Sequence, residues 1–158
     1  MSSTPSTSSL SRQGHRLLQL GVGLLLFASL YGIAIPSLRS QRVGLSGHTL
    51  GVSEGMLAIA VGLLWPRLRL GAVAARVAFW CLIYSLLAIL LAYAIAAALG
   101  VGIETLRIVG GGPGGLSHGS RLEEAIIQLL AASSGLTGLV ALPLVLWGLR
   151  REPGADLR

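Results

Sequence analysis

The 158-residue chain is predicted to be all-α, an integral-membrane four-helix bundle, and three observations predict it. Four apolar runs each approach the roughly 20 residues that cross a bilayer core as helix. Hydrophobic residues make up 53% of the chain and charged residues only 11%, where a soluble domain carries about 25% charged. Proline, glycine or paired arginine closes every run. The 22 glycines fit the same class, because packed membrane helices use glycine for close backbone approach.

The opening segment MSSTPSTSSLSR is polar and Ser/Thr-rich, so residues 1–16 are predicted to be a disordered tail. The first span covers 17–35 and stops at Pro36. It is long for a signal-peptide core and no small-x-small cleavage site follows, so it reads as a retained helix. The second span covers 43–65 and stops at Pro66, because proline cannot continue a helix. The third covers 75–99 and stops at Gly100. The fourth covers 122–149 and is closed by Arg150 and Arg151, with 151–158 a short tail. These spans form one domain over 17–150 and leave no room for a soluble one.

All basic residues are arginine, and they lie between the apolar runs rather than on one patch. That distribution argues against a nucleic-acid surface despite the net charge of +6. Arg12, Arg16, Arg67, Arg69, Arg76, Arg150, Arg151 and Arg158 fall on one side of the membrane; Arg39, Arg42, Arg107 and Arg121 fall on the other. Arginine excess marks the cytoplasmic side, which puts both termini inside. Trp65 and Trp147 are predicted to lie in the cytoplasmic aromatic belt. The single cysteine, Cys81, sits in an apolar run and reads as a small buried residue.

The loop VGGGPGGLSHGS, 109–120, lacks the Gly-Lys-Ser/Thr of a phosphate cradle and is read as a flexible extracytoplasmic loop. Ser120 with Glu123 three residues later has the pattern of a capping box opening the fourth helix. Glu123 and Glu124 also suit the positive end of that helix dipole.

Away from the span ends, two ionisable side chains remain, His48 and Glu54, both on the second helix. A charged group in such a place costs about 2.5–3.5 kcal/mol on insertion scales, so it usually faces a bundle interior or a cavity. At 100° per residue the two lie about 120° apart around the helix. Gly51, Val52, Gly55, Ile59 and Gly62 lie on the His48 side, a smooth stripe with Gly51 and Gly55 in G-x-x-x-G spacing. Two readings fit the stripe. One is close helix packing. The other is a face for a flat macrocycle whose iron takes one imidazole nitrogen. Glu54 has no arginine at its depth to pair with; it could exchange protons, bind substrate, act as general acid or base, or be a neutral acid bonded across helices. Tyr84 and Tyr93, nine residues apart on the third helix, point to opposite faces, and Tyr93 is near His48 in depth.

The runs GHTLGVSEGMLAIAVGLLWPRLRL (47–70), ARVAFWCLIY (75–84) and VLWGLR (145–150) resemble the bacterial hydroxylaminobenzene mutases and, more distantly, the styrene oxide isomerases. The most specific part is His48, then Glu54-Gly55, then Trp65-Pro66. The resemblance implies a small membrane isomerase of the bacterial inner membrane, a trimer with haem b between subunits and His48 as axial ligand to the iron. Gly51 and Gly55 would then belong to the cofactor face. It also implies a Lewis-acid rearrangement without net redox change, epoxide to aldehyde or arylhydroxylamine to aminophenol, with Glu54 and Tyr93 facing the substrate. The chain departs from the family in carrying Glu54 where relatives have Asn, and Ile89 where many have a second Asn. An amide donates and accepts, whereas a carboxylate only accepts. Two other classes remain open: a small proton-coupled exporter using Glu54, and an accessory membrane subunit without chemistry.

Overall fold

The computed structural model describes residues 7–150. Helix α1 spans Thr7–Ala34, α2 Gln41–Leu64, α3 Ala72–Leu99, α4 Arg107–Gly110 and α5 Arg121–Gly148. The four long helices are each long and apolar enough to cross a membrane. A 28-residue helix such as α3 is about 42 Å long, more than the hydrocarbon core needs, so tilt is accommodated. Among the described residues there is no strand, only an isolated bridge between Val101 and Ser117.

The local stops act where the sequence puts them. Pro36 and Pro66 turn the ends of α1 and α2 into single 3-10 turns, Ile35–Ser37 and Trp65–Arg67. Gly100 takes a left-handed conformation, φ 71°, and its N–H donates to Ala96 O at 2.8 Å, closing α3. Ser120 Oγ accepts from the Glu123 N–H while Glu123 Oε2 accepts from the Ser120 N–H at 2.7 Å, a complete capping box. Ser120→Ala is expected to lower stability by about 1 kcal/mol, read as a small shift in thermal unfolding in detergent.

α1 packs antiparallel on α2 and α3 on α5, and the two pairs meet mainly through α2 and α3. α5 makes no substantial contact with α1 or α2, so the helices form an open row rather than a closed ring. The α1–α2 seam is built on glycine. A Cβ at Gly21 would lie 2.7 Å from Gly55 O, and one at Gly14 would lie 2.9 Å from Gly62 O. Both pairs are spaced by seven residues on each helix, two turns, the spacing of helices crossing at a shallow angle. Between α3 and α5, Ser85 Oγ donates to Ser134 O and Ser134 Oγ donates to Ser85 O, each at 2.9 Å. Such interhelical bonds hold helices where water is absent.

Several sequence expectations are corrected. Helix α1 begins at Thr7, so only residues 1–6 of the expected 1–16 tail lie outside the described residues, as do 151–158. The helix extends because Leu10 and Gly14 pack against the α2 end, while Ser11, Arg12, His15 and Arg16 stay exposed. Trp65 is not a belt residue: it is 0% exposed, its indole N–H donates to Gln13 Oε1 at 3.1 Å, and it meets Phe79 edge-on. Trp147 does remain outside, with the Arg150 guanidinium 3.9 Å above its ring. Cys81 is half-buried and free.

The 109–120 loop is tied down rather than flexible. Ser117 N–H donates to Gly100 O, Arg42 Nη1 to Gly111 O, and Ser40 Oγ to Gly114 O. Glu124, 7% exposed, accepts at Oε1 from the N–H groups of Gly102 and Gly119 at 3.1 and 3.0 Å. Val101 and Leu106 are buried with Val43, Ala92, Ala96 and Ile127, so the loop caps its end of the helices.

Candidate functional site

His48 sits at the next seven-residue step of the α1–α2 seam, after Gly62 and Gly55. Its partner on α1 is Ala28, the step after Gly14 and Gly21. At this step a hydrogen bond replaces the backbone contact: His48 Nδ1 lies 2.8 Å from Ala28 O. A carbonyl can only accept, so Nδ1 carries the hydrogen, and the neutral form of a ring so held keeps its lone pair on Nε2. This is the arrangement by which a backbone carbonyl orients a metal-ligating histidine. Gly32 makes the space for it, because a Cβ there would lie 2.9 Å from Nδ1. Gly32→Ala is expected to tilt the imidazole and weaken whatever Nε2 holds, with little loss of helix content by circular dichroism.

Gly51 and Gly55 do not form an open face. A Cβ at Gly51 would lie 3.1 Å from Ala28 Cβ, and one at Gly55 would lie 2.9 Å from Leu25 Cγ and 3.0 Å from Gly21 O. α1 therefore covers the stripe, and a macrocycle could lie on these glycines only if α1 moved away. The helix-packing reading of G-x-x-x-G is the one the geometry realises, which corrects their assignment to a cofactor face. The imidazole fits a prosthetic group independently of them, since its fixed tautomer and partial exposure come from Ala28 and Gly32.

Tyr93 lies on the α3 side of α2, with its Cβ 3.4 Å from where a Gly47 side chain would begin. His48 instead turns to α1. Glu54 is half-buried on α2, and no hydrogen bond or ion pair joins it to His48 or Tyr93 among the described residues. The hydroxyls nearby on α2 are satisfied within the helix: Ser46 donates to Arg42 O, Thr49 to Leu45 O and Ser53 to Thr49 O. Tyr84 is 45% exposed and bonds Ser133 Oγ at 2.8 Å, a helix-joining role. No group of three or more His, Cys, Asp or Glu side chains that could enclose a bare metal ion occurs among the described residues.

One residue escaped the sequence reading. Tyr31 on α1 packs beside Gly47, 3.3 Å at Cε1 and 3.5 Å at the hydroxyl from the position of a Cβ there. Its ring stacks on Phe27 at 5.6 Å, and its hydroxyl is enclosed without a hydrogen-bond partner. An unsatisfied buried polar group costs about 1–3 kcal/mol. The signal was present in the row Leu17, Leu24, Tyr31, spaced by sevens, whose first two members are core residues. An apolar cleft of about 400 Å³ opens between α1 and α3, lined by Leu24, Phe27, Leu87, Leu90, Leu91 and Ala94.

Comparison with known proteins places the chain. Residues 13–150 match the styrene oxide isomerase family. The chain is 41% identical to hydroxylaminobenzene mutase HabB of Ectopseudomonas oleovorans over 150 residues, covering 95% of this chain and 88% of the relative. It is 33% identical to hydroxylaminobenzene mutase HabA of the same organism over 127 residues, covering 80% and 90%. No solved structure matches the chain significantly. Styrene oxide isomerases and hydroxylaminobenzene mutases are isomerases, and four helices apolar enough to span a bilayer make this a multi-pass membrane protein. The chain belongs to the styrene oxide isomerase family.

Proposed function

We propose that this membrane isomerase rearranges a small aryl substrate, an arylhydroxylamine to an aminophenol, with His48 holding haem b. The observation that carries the reading is the imidazole: its Nδ1–H is engaged by Ala28 O, which leaves Nε2 as the ligating atom. Identity to two hydroxylaminobenzene mutases supports the substrate class. The family match supports aryl epoxides as a second class on the same site, with an aldehyde as product. When bound, haem iron would supply a Lewis acid for the substrate oxygen. Substrate and product have the same composition, so no external reductant or oxidant is required.

The chain's own groups do the rest. The cleft between α1 and α3 takes the aryl ring and excludes water from the reacting carbon atoms. Glu54 holds or moves a proton beside the substrate, and Tyr93 orients it. Because His48 turns to α1 and Tyr93 lies on the α3 side, the reading has the histidine of one copy completing the site of another, in a homotrimer. The arginine distribution supports both termini on the cytoplasmic side of a bacterial inner membrane.

The test is to incubate detergent-purified protein with hydroxylaminobenzene, and separately with styrene oxide, and to separate the products by chromatography. Aminophenol formation without added redox cofactor is expected. Recovery of unreacted substrate from haem-supplied protein, in both incubations, would overturn the reading. Glu54→Gln keeps the side-chain shape but cannot carry a proton off; kcat is expected to fall by about 100-fold or more, with expression unchanged.

A further inference from the structure

The loop joining α2 to α3 folds back on the end of α5. Arg69 N–H donates to Gly148 O at 2.8 Å, and Gly148 makes the room, because a Cβ there would lie 2.8 Å from Leu70 Cγ. A cavity of about 460 Å³ lies at this end of the helices, with Arg69, Gly71, Ala74, Pro143, Trp147 and Arg150 in its lining. That lining holds two guanidiniums and no carboxylate. Arg150 is stacked 3.9 Å above the Trp147 ring, which engages the flat face of the guanidinium and leaves its in-plane N–H groups to donate. Gly71, the N-cap of α3, offers no side-chain cap, so the positive end of that helix adds to the same cavity. Arg12, Arg16, Arg67 and Arg76 lie at the same membrane end, and among the described residues no Asp or Glu does. Like charges lining one cavity repel, and an anion between them removes the repulsion. Phosphate suits arginine, whose planar fork meets two of its oxygens at once. An apolar groove of about 580 Å³ adjoins the cavity, and Pro143 lines both. It follows α5 from Leu146 back to Ser134, about 18 Å of helix, close to the roughly 15 Å depth of one bilayer leaflet. Gly135 and Gly138 keep it open: nothing lies within 4 Å of a Cβ at Gly135, and only the Ser85 side chain lies that near one at Gly138.

We propose that cavity and groove together form a binding site for an anionic phospholipid: Arg69 and Arg150 hold the headgroup phosphate, and one acyl chain lies along α5 over Gly135 and Gly138. A basic pocket between helices at the membrane surface recognises such headgroups, and the groove supplies the contact that a free phosphate would not use. The site lies at the opposite end of α2 from His48 and is independent of the reaction.

The experiment uses the full chain in detergent with phosphatidylglycerol or phosphatidylcholine added at equal concentration. It reads the rise in unfolding temperature and the lipid retained in native mass spectra. The wild type is expected to bind phosphatidylglycerol about tenfold more tightly than phosphatidylcholine. Arg69→Gln combined with Arg150→Gln should lose that preference. Arg16→Gln combined with Arg76→Gln removes the same charge from the same membrane end, outside the cavity, and should keep it. Gly135→Leu meets no neighbour at its Cβ and fills the groove, so it should weaken both lipids alike. Equal loss of preference in the two double variants would mean that surface charge alone attracts the lipid, and would overturn the proposal. So would a wild type without preference, an undiminished preference in the Arg69 and Arg150 double variant, or wild-type lipid binding by Gly135→Leu. Inorganic phosphate alone is expected to leave the unfolding temperature unchanged. A rise equal to that given by phosphatidylglycerol would overturn the lipid assignment in favour of a soluble phosphate.

Discussion

His48→Ala is expected to remove the Soret absorption of the purified protein and to reduce isomerisation to background. Wild-type protein expressed with ample haem supply should show the band. The reasoning starts from Ala28. Its carbonyl accepts the Nδ1 hydrogen at 2.8 Å, so in the neutral ring Nε2 is the nitrogen whose lone pair is available to iron. No group of three or more His, Cys, Asp or Glu side chains occurs among the described residues to hold a bare iron ion instead. Alanine also leaves the Ala28 carbonyl without the imidazole, but that oxygen still accepts within α1, so the stability loss should be modest. The cavity left by the ring should admit added imidazole, and partial return of the band with imidazole would separate ligand loss from misfolding. A His48→Ala protein with an unchanged spectrum, or a wild type without the band, would sink the haem reading and shift attention to Glu54.

The second large effect is expected in the α1–α2 seam. Gly21→Val should destabilise the protein by about 3 kcal/mol or more and lower its unfolding temperature accordingly. A Cβ on Gly21 would meet Gly55 O at 2.7 Å and Ile59 N at 2.9 Å. Both are backbone atoms, so no change of rotamer relieves the clash and the helices must separate. The consequence travels one seven-residue step, to the His48–Ala28 hydrogen bond, which requires the same interhelical distance. Loss of stability should therefore be accompanied by loss of the haem band. Gly23→Ala is the control on the same helix: nothing lies within 4 Å of its Cβ position, and alanine there should be neutral or slightly stabilising. Equal behaviour of the two variants would show that close backbone contact does not hold this seam.

The parts of the fold visible in the sequence are those decided within a few residues. The four spans follow from a run length set by bilayer thickness. Pro36, Pro66, Gly100 and the Ser120–Glu123 box end or begin helices through bonds to their own neighbours. His48 stood out because an ionisable group inside a span is costly wherever its neighbours lie. Tertiary structure decided what faces what. The stripe of Gly51, Gly55 and Gly62 was compatible with a macrocycle or with a helix; α1 occupies it because Gly14 and Gly21 repeat the same seven-residue step in the opposite direction. Trp65 looked like a belt residue by position and is core because Gln13 and Phe79 close over it. The 109–120 loop looked mobile by composition and is held because Glu124 and Arg42 bond its backbone and its own Ser117 bonds Gly100 O. The tautomer of His48 and the unpaired hydroxyl of Tyr31 depend on partners 20 and 16 residues away, respectively Ala28 and the neighbourhood of Gly47. Helix pairing across such separations sets these features, and no local propensity encodes it.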